Sequence, residues 1–473
     1  MVLTFKKRWL VLLVIDILAL LLAFFSGEFA CIILILLAFS NIMVYCLSDF
    51  GEHCLLFSFM VAFFTFLIGR EALERFGLHK VQYPQLRYLD TFAEKQVLFS
   101  LILVMAGYFL AKITERKKRS YSLSSIIVIH SKNELSIRQI SRYFFLLTYV
   151  VNLMLVAEIF IVILRSGYVA FYTGFQSRIP YVIRKVGEMS PIAFWIYMST
   201  LPRKKEAMPN IILFVIYLGT TLLTGQRSVF VTGLLTLFVY FVLRDKWNAS
   251  QINLDGKWLG KKEKIVCAAA IPLLIILLYL INVIRMGKNF SAESSNAIVE
   301  FIYGQGVSIN VIKRVERYKN FLPKNKIYTF GSIIDFLQGN LFSRLMGVKH
   351  YSGNNVEHAL YGPSLAHALS YYVLGKYDYI AGNGIGSSFI AEAYHDWGYY
   401  GIAAVSSVYG FALRKLFRNK KMNIWIMAIL LVALNSIFMA PRGSADQFVA
   451  DLVDMTTWGT FLIIWIVSKI KRN

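Results

Sequence analysis

The sequence predicts an all-α polytopic membrane protein with about twelve transmembrane helices and one long periplasmic loop that contains short helices. Of the 473 residues, 57% are hydrophobic and only 16% are charged. The mean hydropathy is +0.57. Soluble proteins usually have about 45 to 50% apolar residues, so this composition excludes a soluble enzyme.

Apolar runs of the kind that cross the ~30 Å hydrocarbon core as helices follow one another along the chain. They lie near residues 9–25, 29–47, 54–69, 97–113, 144–164, 191–201, 209–223, 228–243, 265–284, 400–413, 423–440 and 449–468. The sixth run is the shortest. These runs predict nine spans in residues 1–284, the long loop in residues 285–399 and three spans in residues 400–473.

Basic clusters between the runs predict which loops face the cytoplasm, because Lys and Arg are retained on that side. Such clusters occur at 116–119, 203–205, 257–264, 414–421 and 469–472. Both termini are then cytoplasmic, and the first run follows Lys6–Arg8 as a retained span. The turn Ser48–His53 is an exception, since it is predicted to be cytoplasmic but has no Lys or Arg.

The net charge of +23 raises the possibility of a nucleic-acid partner. The basic residues are spread over the loops that flank the spans, however, rather than gathered on one soluble domain. We therefore expect no nucleic acid, and a membrane protein whose long loop lies on the non-cytoplasmic side. The four cysteines lie in or beside apolar runs and predict neither a disulfide framework nor a metal site.

The densest polar cluster is Gly382–Gly398, which lies at the end of the long loop. Its glycines, followed by Ser387 or Ser388 as the capping residue, predict a helix start, where free backbone amides attract phosphate oxygens. One face of that helix would present Glu392, His395, Asp396 and Tyr399. An ordinary interfacial helix whose polar residues face water is the alternative.

Two arginines occupy glycine-containing junctions on the predicted periplasmic side. Arg227 ends Thr224-Gly225-Gln226-Arg227, and Arg442 lies in Ala440-Pro441-Arg442-Gly443 with Asp446 one turn beyond. A guanidinium keeps its charge and binds diphosphate in a bidentate manner. Each arginine alone is also consistent with a side chain that reaches the lipid headgroups.

Two further patterns are less specific. His358, Tyr361, Ser364 and His367 share a helical face and predict a polar cavity lining, but His-x8-His is not a zinc spacing. Asp451-Leu452-Val453-Asp454 matches half of the aspartate-rich signature of prenyltransferases, and the second half is missing. The sequence also lacks Walker A, Asp-x-Asp and Gly-x-Ser-x-Gly motifs, so we expect no nucleotide, metal or other cofactor.

Several segments, taken in order, resemble the bacterial O-antigen polysaccharide polymerase family, called Wzy. They are Phe59–Arg70, Thr224–Ser228, Gly384–Tyr394 with Trp397–Gly401, and Pro441–Gly443. The resemblance extends over nearly the whole chain. It implies a membrane glycosyltransferase that transfers a growing glycan from undecaprenyl diphosphate to the non-reducing end of a new lipid-linked repeat unit. A chain-length-determining co-polymerase is an implied partner.

Within that mechanism we expect Arg227 and Arg442 to hold the donor diphosphate, with Arg314 attracting the anionic carrier. Glu392 is the first candidate for the general base, and His395 is the second candidate or its partner. Further contacts with the glycan are expected from His358, Tyr361, Asn383, Ser387, Tyr394 and Asp446. A lipid-linked oligosaccharide flippase and an O-antigen ligase are the alternatives.

Overall fold

The computed structural model describes residues 5–117, 127–128, 134–166, 177–224, 227–250, 257–261, 263, 265, 296–340, 343, 345–418 and 421–470. The predicted ninth span, 265–284, therefore lies almost entirely outside the described residues. The described chain is almost wholly helical, which confirms the all-α class. Its two short strands, β1 (Ile127–Val128) and β2 (Lys421–Met422), pair in parallel.

The first half of the described chain forms α1 (Phe5–Phe25), α2 (Ala30–Ser48), α3 (Phe50–Phe63), α4 (Gly69–Arg75), α5 (Asp90–Lys117), α6 (Glu134–Ser166), α7 (Tyr181–Glu188), α8 (Ser190–Ser199), α9 (Lys204–Leu223) and α10 (Arg227–Ser250). A π-helical turn, Phe64–Ile68, joins α3 to α4. The later helices are α11 (Ala297–Gln305), α12 (Ser308–Tyr318), α13 (Gly331–Gly339), α14 (Val356–Tyr361), α15 (Leu365–Leu374), α16 (Lys376–Ile380), α17 (Phe389–Lys415), α18 (Ile424–Met439), α19 (Gln447–Val453) and α20 (Met455–Ile470).

Six segments of the described chain are long and apolar enough to cross a membrane, and the bent pair α19 and α20 makes a possible seventh. They are Gly27–Ser48, Phe50–Arg75, Pro84–Glu115, Glu134–Arg165, Ser228–Lys246 and Ile424–Arg442. The structure thus supports a polytopic membrane protein, but with six or seven such spans in its described part rather than about twelve. Other predicted spans coincide with α8, only 10 residues long, with α9, which begins on charged residues, and with the kinked α17.

The helices α5 and α17 run parallel and pack closely along their length. At Gly107 and Gly410 each backbone lies so near the facing helix that a Cβ atom would overlap a backbone carbonyl. Toward the start of α5 from these positions, the hydroxyls of Ser100 and Ser406 are 2.8 Å apart. Small residues permit such close helix contacts inside a membrane, and this packing places the start of α17 beside the start of α5.

Ion pairs join the predicted cytoplasmic segments at the opposite end of these helices. Arg418 donates to Glu52 at 2.5 Å, Lys246 contacts Asp49 at 3.2 Å, and Arg414 donates to Glu115 at 2.7 Å. The turn Ser48–His53 thus supplies carboxylates to cations from the last part of α10 and from the segment after α17. Its lack of Lys and Arg is explained by this pairing.

A buried ion cluster connects α12 to the other end of α4 and α5. Lys313 Nζ donates to Glu71 and to Asp90, both at 2.6 Å, and Lys313 is only 1% exposed. Nearby, Arg70 donates to the Tyr303 hydroxyl at 2.9 Å. These contacts hold α11 and α12 on the ends of the spanning helices, with Lys313 buried between them.

Candidate active site

Arg442 ends a short 3-10 turn, Ala440–Arg442, that follows α18. Its Nη1 donates to Gln305 Oε1 at 2.6 Å, and its guanidinium lies 5.5 Å from the centre of the Phe66 ring. Pro441 at the start of the turn has no N–H to continue the helix, which directs the chain away from the α18 axis. Arg442 is therefore held between the end of α11 and the π-helical turn.

Arg442 lines a cavity of about 390 Å³, which we call the arginine cavity. Ser387 and Gly386 from the glycine-rich segment also line it, as do Ser436, Ser444 and Gln447. The structure thus brings two of the predicted sequence motifs to one cavity. The side chain of Arg227 lies outside the described residues, but its neighbour Ser228 lines the same cavity.

Glu392 lies behind the wall of the arginine cavity and is 1% exposed. Its Oε1 accepts a hydrogen bond from Ser387 Oγ at 2.6 Å, and its Oε2 accepts one from the Ala445 amide at 2.8 Å. Burial raises the pKa of this carboxyl to about 8. Glu392 therefore ties the glycine-rich segment to the segment after Arg442, and it contacts the cavity lining through Ser387 and Ser444.

A second cavity of about 350 Å³ adjoins the first, and Ser444 and Gln447 line both. We call it the histidine cavity, because His358 and His367 line it together with Asp335, Asp451 and Asp454. The two imidazole rings stack with their centroids 3.8 Å apart. Burial, together with a smaller effect of the neighbouring His358, lowers the pKa of His367 to about 4.

A third cavity of about 270 Å³, the apolar cavity, lies among α8, α9, α10 and α18. Its walls include Trp195, Phe214, Leu218 and Val432. It shares Asn435 and Ser436 with the arginine cavity, and Asp451 and Asp454 with the histidine cavity. Basic, acidic and apolar surfaces therefore meet around α19.

His395 and Asp396 do not join Glu392 in a single site. Nδ1 of His395 lies 3.0 Å from Asp396 Oδ1, and Asp396 Oδ2 accepts hydrogen bonds from the amide and hydroxyl of Thr329. Trp397 and Gly398 have non-helical backbone angles, so Tyr399 follows a kink instead of continuing the face of Glu392. The expectation of one continuous polar face is wrong for Tyr399 alone, because Glu392, His395 and Asp396 all precede the kink.

The other predicted contacts lie outside the three cavities. Asp446 accepts hydrogen bonds from the amides of Ser332 and Ile333, at the start of α13. Burial raises the pKa of Asp446. Tyr361 is 56% exposed, and the Asn383 carbonyl accepts a hydrogen bond from the Asn354 side chain. The Tyr394 hydroxyl donates to Glu316 at 3.1 Å. The Arg314 guanidinium lies 4.7 Å from the centre of the Tyr83 ring.

Sequence reasoning missed Gln305, which orients Arg442, and Asp335 and Ser436, which line the cavities. Gln305 lies in Gly304-Gln305-Gly306, a polar break resembling the junction before Arg227. This glycine-flanked polar residue is the feature of the sequence that could have identified Gln305. Asp335 and Ser436 occur within apolar stretches that carry no comparable signal.

Comparison with known families agrees with the resemblance of the motifs. The family model described as O-antigen polysaccharide polymerase Wzy matches residues 8–473. Neither the curated proteins nor the solved structures contain a match to this sequence. Because the family match covers nearly the whole chain, the chain belongs to the O-antigen polysaccharide polymerase Wzy family.

Proposed function

We propose that the chain transfers a growing glycan from undecaprenyl diphosphate to the non-reducing end of a new lipid-linked repeat unit. In this proposal the three cavities face the periplasm, both termini lie in the cytoplasm, and the membrane is the bacterial inner membrane. The observation that carries the proposal is that a guanidinium, that of Arg442, lies in the wall of a mainly apolar cavity that shares Asn435 and Ser436 with a second apolar cavity. A lipid diphosphate needs that combination.

Arg442 is assigned to the donor diphosphate. When the bond between the sugar and the diphosphate breaks, negative charge develops on the leaving oxygens, and a fixed guanidinium stabilises it. Gln305 orients this guanidinium through the 2.6 Å hydrogen bond. Arg227, the first residue of α10, is assigned to the same group because Ser228 lines the cavity. Arg314 stays outside the cavities and serves at most to attract the carrier.

The apolar cavity is assigned to the first part of the prenyl chain. Its wall of Trp195, Phe214 and Leu218 provides a surface from which water is excluded. Since Asn435 and Ser436 border both cavities, a chain in one and a diphosphate in the other would be continuous. The glycosyl diphosphate bond is already activated, so this mechanism needs neither a nucleotide nor a metal ion.

Glu392 is assigned a positioning role instead of the role of general base. Both of its carboxylate oxygens are occupied by Ser387 and Ala445, and the side chain is 1% exposed. A base has to reach the hydroxyl from which it takes a proton. Ser387, held by Glu392, is the group that faces the substrate. His395 is assigned to the contact with Asp396 that holds the Thr329 segment.

The first experiment is deletion of the gene, followed by analysis of the lipopolysaccharide on a gel. A polymerase defect leaves the lipid A core with a single repeat unit, because flipping and ligation continue. Loss of every repeat unit would overturn the proposal in favour of a flippase or a ligase. Coexpression with and without a chain-length-determining co-polymerase then tests the expected partner through the modal chain length.

The second experiment replaces Arg442 with Lys, which keeps the charge but loses the planar fork and the Nη1 contact with Gln305. Removing one such donor typically costs about 10²–10³ in rate, so the ladder should collapse toward short chains. Arg87→Lys is the matched control, because Arg87 is exposed near the same end of the protein. A normal ladder from Arg442→Lys would show that Arg442 does not bind diphosphate.

A further inference from the structure

Gln447 is a polar residue that lies between two of the cavities and that the proposed function has not used. It is the first residue of α19, and it lines both the arginine cavity and the histidine cavity. The residue is exposed. Ligand sites obtain their specificity from a small number of placed polar groups, and Gln447 can reach a ligand in either cavity.

Asp451 and Ser332 determine the orientation of the Gln447 amide. Nε2 of Gln447 donates to Asp451 Oδ1 at 2.7 Å, and Oε1 of Gln447 accepts from Ser332 Oγ at 3.1 Å. A carboxylate accepts hydrogen bonds, so the NH₂ group has to face Asp451. The reversed amide would place two acceptors against each other. The two contacts therefore fix one orientation.

Asp451 is itself held by two neighbouring helices. Its Oδ2 accepts a hydrogen bond from the Ser436 hydroxyl on α18, and its carbonyl accepts one from Thr457 Oγ1 on α20 at 2.9 Å. The support of the Gln447 amide therefore comes from packed helices. Such support keeps a binding group in one geometry before the ligand arrives, which lowers the entropy lost on binding.

The Gln447 amide keeps hydrogen-bonding capacity for a ligand. A glutamine side chain has two N–H donors and two lone pairs on its oxygen. Asp451 uses one donor and Ser332 uses one lone pair. One N–H and one lone pair remain on a residue that is exposed at the cavity walls. A sugar hydroxyl both donates and accepts, so it matches this remaining capacity.

We propose that the histidine cavity holds the sugar next to the donor diphosphate and that Gln447 donates its remaining N–H to this sugar. This inference rests on the proposed function. Asp335 and Asp454 also line the histidine cavity, where they repel a diphosphate or an acidic sugar. Gln447 is thus a contact that determines sugar specificity, and Asp451 is its positioning residue.

The test compares two lipids on the purified full chain in detergent. The affinity is measured for undecaprenyl diphosphate and for undecaprenyl diphosphate that carries the repeat unit. The ratio of the two affinities reports the contribution of the sugars, and it is independent of the fraction of protein that is folded. We expect Gln447→Leu to lower this ratio by about 3- to 10-fold, the size of one hydrogen bond, and to leave binding of the bare lipid unchanged.

Gln85→Leu is the matched control. Gln85 is exposed outside the three cavities, and its contact with Arg317 uses the backbone carbonyl, which the substitution leaves in place. A wild-type ratio from Gln447→Leu would overturn the inference, as would an equal loss of affinity for both lipids. Wild-type protein that binds neither lipid would instead refute the proposed function, so the two failures are distinguishable.

Two substitutions of Asp451 test its positioning role through the same ratio. Asp451→Ala removes the acceptor for Gln447 and should lower the ratio as much as Gln447→Leu does. Asp451→Asn should keep the wild-type ratio, because its oxygen can accept from Gln447 while its NH₂ group donates to the Ser436 oxygen. Asp451→Ala should cause no further loss in the Gln447→Leu protein. A further loss there, or a low ratio from Asp451→Asn, would contradict the positioning role.

Discussion

Glu392→Gln tests whether the buried carboxyl acts by its proton or by its position. The pKa of Glu392 is raised to about 8 from an ordinary value of 4.5, so near pH 7 the carboxyl is mostly protonated. Gln has nearly the same shape as a protonated Glu. Its oxygen can accept from the Ala445 amide while its NH₂ group donates to Ser387, which preserves both contacts.

The raised pKa also determines the direction of the effect on stability. The folded protein holds this proton more tightly than the unfolded chain does. The protonated carboxyl therefore contributes fully to the free energy of unfolding below about pH 4.5, and this contribution is lost as the pH rises through 8. A shift of one unit corresponds to about 1.4 kcal/mol. Between pH 5 and pH 8 the free energy of unfolding of the wild type should fall by roughly 3 to 4 kcal/mol, whereas that of the Gln variant should not change for this reason.

The assay is thermal unfolding of purified wild type and Glu392→Gln in one detergent at several pH values. The apparent Tm of the wild type should fall more steeply toward pH 8, while Glu357→Gln, an exposed glutamate paired with Lys349, should follow the wild type. The Gln variant should still make long chains in cells. Parallel Tm curves would refute the raised pKa, and a well-folded Gln variant without polymer would show that Glu392 is the base.

Two further predictions concern the support of the cavities. Asp446→Ala removes the acceptor for two amides at the start of α13, which should cost about 1 to 2 kcal/mol and appear as faster proteolysis of the folded protein; unchanged cleavage would contradict this capping role. Gly362→Ala should lower the amount of folded protein in the membrane, because its methyl group overlaps both the His358 ring and the His358 carbonyl oxygen. Gly219→Ala, with open space around it, is the control, and an unchanged amount of folded Gly362→Ala protein would contradict this close packing.

Helical structure and membrane spans could be predicted from local composition. Long apolar runs such as 29–47 and 423–440 carry enough hydrophobic surface to define a span without tertiary information. Runs such as 191–201 and 400–413 are harder to assign to a membrane span from sequence. A helix buried inside the protein is apolar because it avoids water, and a membrane span is apolar for the same reason. The kink at Trp397–Gly398 depends on backbone angles that a sequence pattern does not specify.

The candidate site was also predictable only in part from the sequence. Arg442 and the glycine-rich segment were recognisable from their polar character beside apolar spans, and the structure brings both to the arginine cavity. The direction in which Glu392 points was not predictable, because its partner Ala445 is 53 residues away in the sequence. Burial by distant segments decides whether a carboxyl faces a cavity or the protein interior.

The sequence by itself determined the membrane-spanning helical class, the family and the segments that carry the polar groups, since these follow from local composition and motif order. Only the tertiary structure decided which groups share a cavity. Gln305 contacts Arg442 across 137 positions of sequence, and Glu392 contacts the Ala445 amide across 53. Such contacts depend on how helices pack in three dimensions, because hydrogen bonds act over about 3 Å however far apart their partners lie in the chain.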